Sequence, residues 1–260
     1  MKHITILGVR VDCLSGEEIS KRCEDWLTDP KGFHQIVTVN PEFVMEAQDN
    51  KEFCDVINSS ALATADGIGL LMSAFLFYKK RLYRLTGVDL TLKLAEMCAR
   101  LGKRVYLLGG GSQVAQKVEN ELKKLYPDLI IAGVEEGITV GLRGGQDQVY
   151  DGRSLAICKR ISDSNTDVLL VAFGAPKQDL WIARYAKDIP TVRIAVGVGG
   201  TFDYLSGTVP RAPKWMRSIG FEWTYRLIAQ PYRWRRIITA VIRFPLAVLF
   251  SKRDALTPKP

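Results

Sequence analysis

DVLLVAFGAPKQDLWIARYA, residues 167–186, is the segment from which the architecture is read outward. It opens on a short run of Val, Leu and Ala with no polar interruption, the composition of a strand covered on both faces. Gly174 and Pro176 end that run, and helical spacing follows. The same order recurs: HQIVTV (34–39) before NPEFVMEAQ (40–48), RVYLLGGG (104–111) before SQVAQKVENELKKLY (112–126), and RIAVGVGG (193–200) before TFDYLSG (201–207). Strands alternating with helices predict an α/β fold with a Rossmann-like, mainly parallel sheet and flanking helices. ALATAD (61–66) reads as a further short strand, and ITILGVRVD (4–12) as a strand pair at the edge. The Gly-rich polar stretch VGLRGGQDQVYDG (140–152) reads as a surface loop.

An open parallel sheet binds ligands beyond the carboxyl ends of its strands. Those ends carry Thr38 and Asn40, Asp66, Gly109–Gly111, Gly174–Gln178 and Gly199–Asp203. Asn40-Pro41 is also a helix start, Asn capping and Pro in the first position, where no N–H is required. Asp66-Gly67 is equally a turn pair. The glycines of LLGGGS and VGVGGTFD could bring backbone N–H groups to a phosphate, or could simply be tight turns. No P-loop occurs, and the third glycine of a dinucleotide fingerprint is replaced by Val114. Two histidines, with no HExxH and no DxD, indicate no metal site, so the expectation is a metal-independent reaction without a cofactor. No G-x-S-x-G elbow supports a nucleophilic serine.

At 260 residues, 47% of them hydrophobic, the chain can bury one large domain or two closely joined ones. Five scattered cysteines form no CxxC pair, which argues for a reduced cytosolic setting, and the apolar run after Met1 is too short for a signal peptide. Charge is distributed unevenly. Residues 211–260 hold eleven Lys/Arg against two Asp/Glu, whereas residues 1–210 hold 25 against 26, so the whole excess of +8 lies in the C-terminal fifth. This predicts two parts: an α/β domain over 1–210 and a basic amphipathic helical appendage over 211–260. On a single helical wheel Arg226, Arg233, Arg236 and Arg243 fall within about 100°, away from most of the aromatic and aliphatic residues, with a kink at Pro231. The run 237–250 is too short to span a bilayer, so the expected partner is an anionic membrane surface.

Eight motifs, TVNPEFVMEAQDN, ADGIGL, RLTGVDL, VYLLGGGSQVAQK, FGAPKQDLWI, GVGGTFDYLSG, RAPKWMRSIGFEWTYRL and QPYR, stand in an order that resembles the WecG/TagA/CpsF family of bacterial glycosyltransferases. The resemblance spans about residues 5–236. It implies inverting transfer of an N-acetylmannosamine-type sugar from a UDP-sugar donor to undecaprenyl-diphosphate-linked N-acetylglucosamine, in teichoic acid or surface-polysaccharide precursor synthesis. It implies a peripheral enzyme at the cytoplasmic face of a bacterial membrane and leaves homo-oligomerisation open. Asp66 matches the family's general base. Thr38 and Asn40 match residues lining the sugar pocket, and Arg84 and Gln178 match polar residues holding acceptor or donor. Gly109, Gly110, Gly199, Gly200 and Asp203 are assigned to the nucleotide. Arg211, Arg217, Arg226 and Arg233 are similar to appendage arginines that would neutralise a diphosphate. Two rival readings remain: a nicotinamide-dependent oxidoreductase, with Glu135 or Glu136 as ribose acid, and a nucleic-acid-binding module built on the Arg/Trp tail. Against the second, the body at −1 offers no basic groove.

Overall fold

The computed structural model describes residues 2–29, 31–111, 113–137, 147–213, 215–216 and 222–256, with backbone alone at 147–151, 222–223, 226, 229, 233 and 252–256. Six strands form one all-parallel sheet: β3 (His34–Val39), β4 (Leu62–Ala65), β5 (Arg104–Gly109), β6 (Ile130–Glu135), β7 (Val168–Ala172) and β8 (Ile194–Gly197), in the order β4-β3-β8-β7-β5-β6. The four strands at its centre are nearly continuous apolar runs because helices cover both faces. One face packs Ile36, Leu107, Leu170 and Val196 with Leu90, Leu94 and Val118; the other packs Leu108, Leu169 and Val171 with Ile161, Trp181 and Ile182. The expected edge pair is a separate antiparallel ribbon, β1 (His3–Ile6) and β2 (Val9–Asp12). It is tied to β4 where the Ala63 N–H donates to the Asp12 carboxylate, at 2.8 Å.

The helices preceding the tail are α1 (Gly16–Thr28), α2 (Pro41–Asp49), α3 (Lys51–Ser59), α4 (Ile68–Tyr78), α5 (Gly87–Leu101), α6 (Val114–Leu125), α7 (Asp147–Asp163), α8 (Lys177–Tyr185) and α9 (Thr201–Leu205). Their starts follow capping chemistry: Ser15 and Glu18 form a capping box on α1, and Asn40, Asn50 and Thr86 cap α2, α3 and α5 through their side chains. Residues 147–152, expected in a loop, instead begin α7. A glycine inside a helix costs about 1 kcal/mol, and burial of Ile157 and Ile161 against β5 and β7 outweighs it. The remainder of that stretch lies outside the described residues.

The tail comprises α10 (Glu222–Ala229), a 3-10 turn (Pro231–Arg233), α11 (Trp234–Ile238), a π-helical turn (Thr239–Arg243) and α12 (Phe244–Leu256). Pro231 divides it as expected. The 3-10 and π turns change the angle per residue, so a single wheel does not describe the backbone over 226–243, and the Arg226 and Arg233 side chains of the expected arc lie outside those described. Nor is the tail merely appended. Phe244 and Val248 are fully buried in the cluster that holds Phe43, Val44, Leu70 and Ala74.

Candidate active site

A cavity of about 560 Å³ opens at the carboxyl ends of β3, β4, β7 and β8, within the size range of small-molecule sites. Thr38, Asn40, Asp66, Arg84, Gln178, Gly199, Gly200, Asp203 and Arg211 all line it. These are residues 38 to 211: most close or follow a strand of one parallel sheet, while Arg84 is brought in by its bridge to Ala65 and Arg211 by its bond to Asp89.

Asp66 is the first residue beyond β4. Its N–H donates to Val39 O at 2.7 Å, and the neighbouring Ala65 bridges to Arg84, with Leu85 N–H on Ala65 O at 2.9 Å. The backbone is thus clamped on both sides of the acid. Its side chain stays a quarter exposed to the cavity, and the Arg84 guanidinium stands 4.0 Å from the carboxylate. Gly67 follows with φ +89, a left-handed conformation that an L side chain rarely adopts, and starts α4 immediately. An acid on this turn therefore points into the cavity from a rigid support. Asn40 caps α2 by accepting from Phe43 N–H at 3.0 Å, so the cap uses its oxygen and leaves the amide N–H groups for the cavity. Thr38, on β3 beside Thr64 of β4, is buried in the cavity floor.

Gln178 behaves unlike the solvated first-turn residue its local sequence suggests. It is 2% exposed, and its Oε1 accepts from Gly174 N–H at 3.1 Å and Gly199 N–H at 2.8 Å. It therefore staples the β7–α8 loop to the glycine turn after β8. Asp179, beside it, is wholly buried behind Gly197, where a Cβ would come within 2.5 Å of the Asp179 carboxylate. Burial pushes that carboxyl up to about 7, against the pull of the Gln178 side chain. Gly197 is thus required by packing.

The sequence singles out Arg211 but not its partners Thr86 and Asp89. Thr86, Gly87 and Val88, the first turn of α5, line the cavity. The Arg211 guanidinium donates to Asp89 at 3.2 Å, and the Thr86 hydroxyl donates to the same carboxylate at 2.7 Å. Burial would raise the Asp89 pKa, but these hydrogen bonds and the arginine charge hold it below its ordinary value. The start of the tail is thereby fixed beside a helix N-terminus, whose dipole favours an anion. The tail also supplies a wall: Gln230, Arg236, Ile237, Ala240, Val241 and Pro245. Arg236 is ion-paired with Glu42 of α2 across the cavity rim.

The structure does not bring Gly109 and Gly110 into this cavity. A Cβ on Gly109 would lie 2.7 Å from Ala172 O, and one on Gly110 would lie 3.1 Å from the Val114 side chain. Their glycines answer to strand and helix packing. Arg226 and Arg233 fall in α10 and the 3-10 turn, where only backbone is described, and Arg217 lies outside the described residues. Glu135, the ribose acid of the oxidoreductase reading, is occupied: Tyr106 donates to it at 3.0 Å and Arg160 at 3.1 Å. Among the described residues, no group of three or more His, Cys, Asp or Glu could hold a metal, and no helix is long and apolar enough to cross a membrane.

Residues 4–257 match the model of the glycosyl transferase WecG/TagA/CpsF family. The chain is 34% identical over 227 residues to the N-acetylglucosaminyldiphosphoundecaprenol N-acetyl-beta-D-mannosaminyltransferase of Bacillus subtilis (strain 168), covering 86% of this chain and 83% of that protein. It is equally similar, 34% over 223 residues, to the protein of the same name from Bacillus spizizenii (strain ATCC 23059 / NRRL B-14472 / W23), covering 86% of this chain and 81% of that one.

Proposed function

This chain belongs to the WecG/TagA/CpsF family and is a glycosyltransferase, and from that premise we propose that it moves an N-acetylmannosamine residue from a UDP donor onto undecaprenyl-diphosphate-linked N-acetylglucosamine, forming a β linkage. The observation that carries this reading is the meeting of Asp66, Thr38, Asn40, Arg84 and Gln178 in one cavity at the strand ends. Two relatives named for this transfer match most of the chain.

Asp66 takes the proton from the acceptor's 4-hydroxyl as that oxygen attacks the anomeric carbon, a contribution of about 10²–10⁴ in rate. The bond from that carbon to the UDP oxygen breaks on the opposite face, so an α-linked donor gives a β product. UDP leaves with added negative charge. Arg84, Arg211 and the N-terminus of α5 stand beside the cavity where such charge is stabilised. The Gln178 staple fixes the glycine turn Gly199–Gly200, and with Asp203 this turn forms the nucleotide side of the cavity. Thr38 and Asn40 hold the sugar next to the base, while Arg217, Arg226 and Arg233 add positive charge from the tail. The domain division at residue 210 is functional in this reading: the body carries the base, and the tail places the cavity at an anionic inner-leaflet surface.

UDP release from a panel of UDP-sugars, with and without the lipid-diphosphate N-acetylglucosamine acceptor, tests the reading. Acceptor-dependent release from UDP-N-acetylmannosamine is expected. Release that ignores the acceptor, or none from any UDP-sugar, would contradict it. With no DxD and no metal-ligand motif in the sequence, activity is expected to survive EDTA; loss on chelation and recovery with Mg²⁺ would remove the protein cations from their assigned role.

A further inference from the structure

Helix α4 starts immediately after Asp66-Gly67, so it leads directly away from the proposed base. Ile68 and Met72 line the cavity. Phe75 and Leu76 continue the same face one turn further and are about half exposed, at 53% and 51%. From Ile68 to Leu76 the helix rises about 12 Å. The tail runs beside it. At Gly69 the two pack closely: a Cβ there would lie 3.6 Å from Ala240 O and 3.8 Å from the Phe244 ring, ordinary van der Waals contact. Val241 and Pro245 line the cavity, and beyond them Leu246, Leu249 and Phe250 are exposed by 46%, 48% and 54%. Two packed helices therefore both begin in the cavity and both carry exposed apolar side chains onward from it. Contiguous exposed apolar surface of this kind marks a binding surface.

We propose that the paired faces of α4 and α12 form a rail for the hydrocarbon chain of the lipid-linked acceptor, holding its first isoprene units while the sugar sits against Asp66. This rests on the acceptor class given under Proposed function. The occupant follows from the order of polarity on the protein. A carboxylate and arginines come first, then apolar cavity wall, then an open apolar strip. A sugar diphosphate ester of a long hydrocarbon has the same order along one molecule. A flat bilayer contact would require the exposed apolar strip but not its continuity with the cavity through Ile68, Met72, Val241 and Pro245.

The test uses the full chain in detergent-free solution with two acceptors of identical headgroup, the methyl and the farnesyl ester of N-acetylglucosaminyl diphosphate, each below its aggregation concentration. The farnesyl ester is expected to raise kcat/KM by about tenfold or more, chiefly through KM, since several methylene-sized groups leave water. In Phe75→Ser and Leu249→Ser the farnesyl-to-methyl ratio is expected to fall several-fold. Because each ratio is taken within one variant, a lower folded fraction cancels. A ratio near one in the parent, or one unchanged in both variants, overturns the rail. If the ratio is unchanged while those same variants lose binding to phosphatidylglycerol vesicles, the strip serves the bilayer alone. Transfer to neither acceptor overturns the reaction itself, and the rail with it, so the two failures are told apart.

Discussion

Strand β8 and helix α12 are built from similar residues and meet opposite fates. The IAVG of β8 is buried throughout, with strands on either side and helices above and below. The FPLAVLF that opens α12 buries Phe244 and Val248 and exposes Leu246, Leu249 and Phe250. Hydrophobicity is the same in kind, but the sheet supplies partners on every side and the tail has only one. The lesson is that apolar composition in the tail has two jobs. One face, spaced at Ile237, Phe244 and Val248, glues the tail to α2 and α4 as the wall of the cavity. The other remains available for something outside the chain.

The contrast can be broken most forcefully at the glued face. Phe244→Ala leaves a cavity in a fully buried site and is expected to cost about 3–5 kcal/mol, read as a lower midpoint in denaturant unfolding. An unchanged midpoint would mean that the tail is not part of the folding unit. A smaller effect is expected where the tail begins. Arg211 and Thr86 hold the Asp89 pKa below 3.8, so the bond contributes stability that is present above that value and lost as pH falls through the lower, folded one. With the Asp89 side chain 43% exposed, screening limits the contribution to less than about 1 kcal/mol. Asp89→Asn should therefore flatten the acid limb of a stability-against-pH curve below pH 3.8, and a limb of unaltered slope would discount the contact. The smallest change in stability is expected on the outer face. Leu249→Ser should shift the midpoint by no more than about 0.5 kcal/mol. A large loss there would show that the outer face is also packed.

How much of this was legible follows the range of the interactions. The strands were readable because a buried parallel strand writes itself as a local apolar run, and Asn40, Asp66 and Asp203 were readable because strand ends converge in such a sheet. The burial and stapling role of Gln178 is not local, since its partner Gly199 is 21 residues away. A helical wheel carries the missing signal: Gln178 and Asp179 share the face of Ile182 and Tyr185, all buried. The Glu42–Arg236 pair joins residues 194 apart and leaves no local trace. The glycines after β5 misled for a physical reason. A backbone that crowds Ala172 needs glycine as surely as one that approaches a phosphate.

Steady-state turnover of Asp66→Asn on the lipid-diphosphate acceptor addresses the central claim most directly. The substitution keeps the size of the side chain and its clamped turn while removing the proton acceptor. Turnover is expected to fall by about 10²–10⁴, with the denaturation midpoint within about 0.5 kcal/mol of the parent. Turnover near that of the parent, from a chain equally well folded, would show that the proton leaves by another group and that the cavity's chemistry is not centred on Asp66.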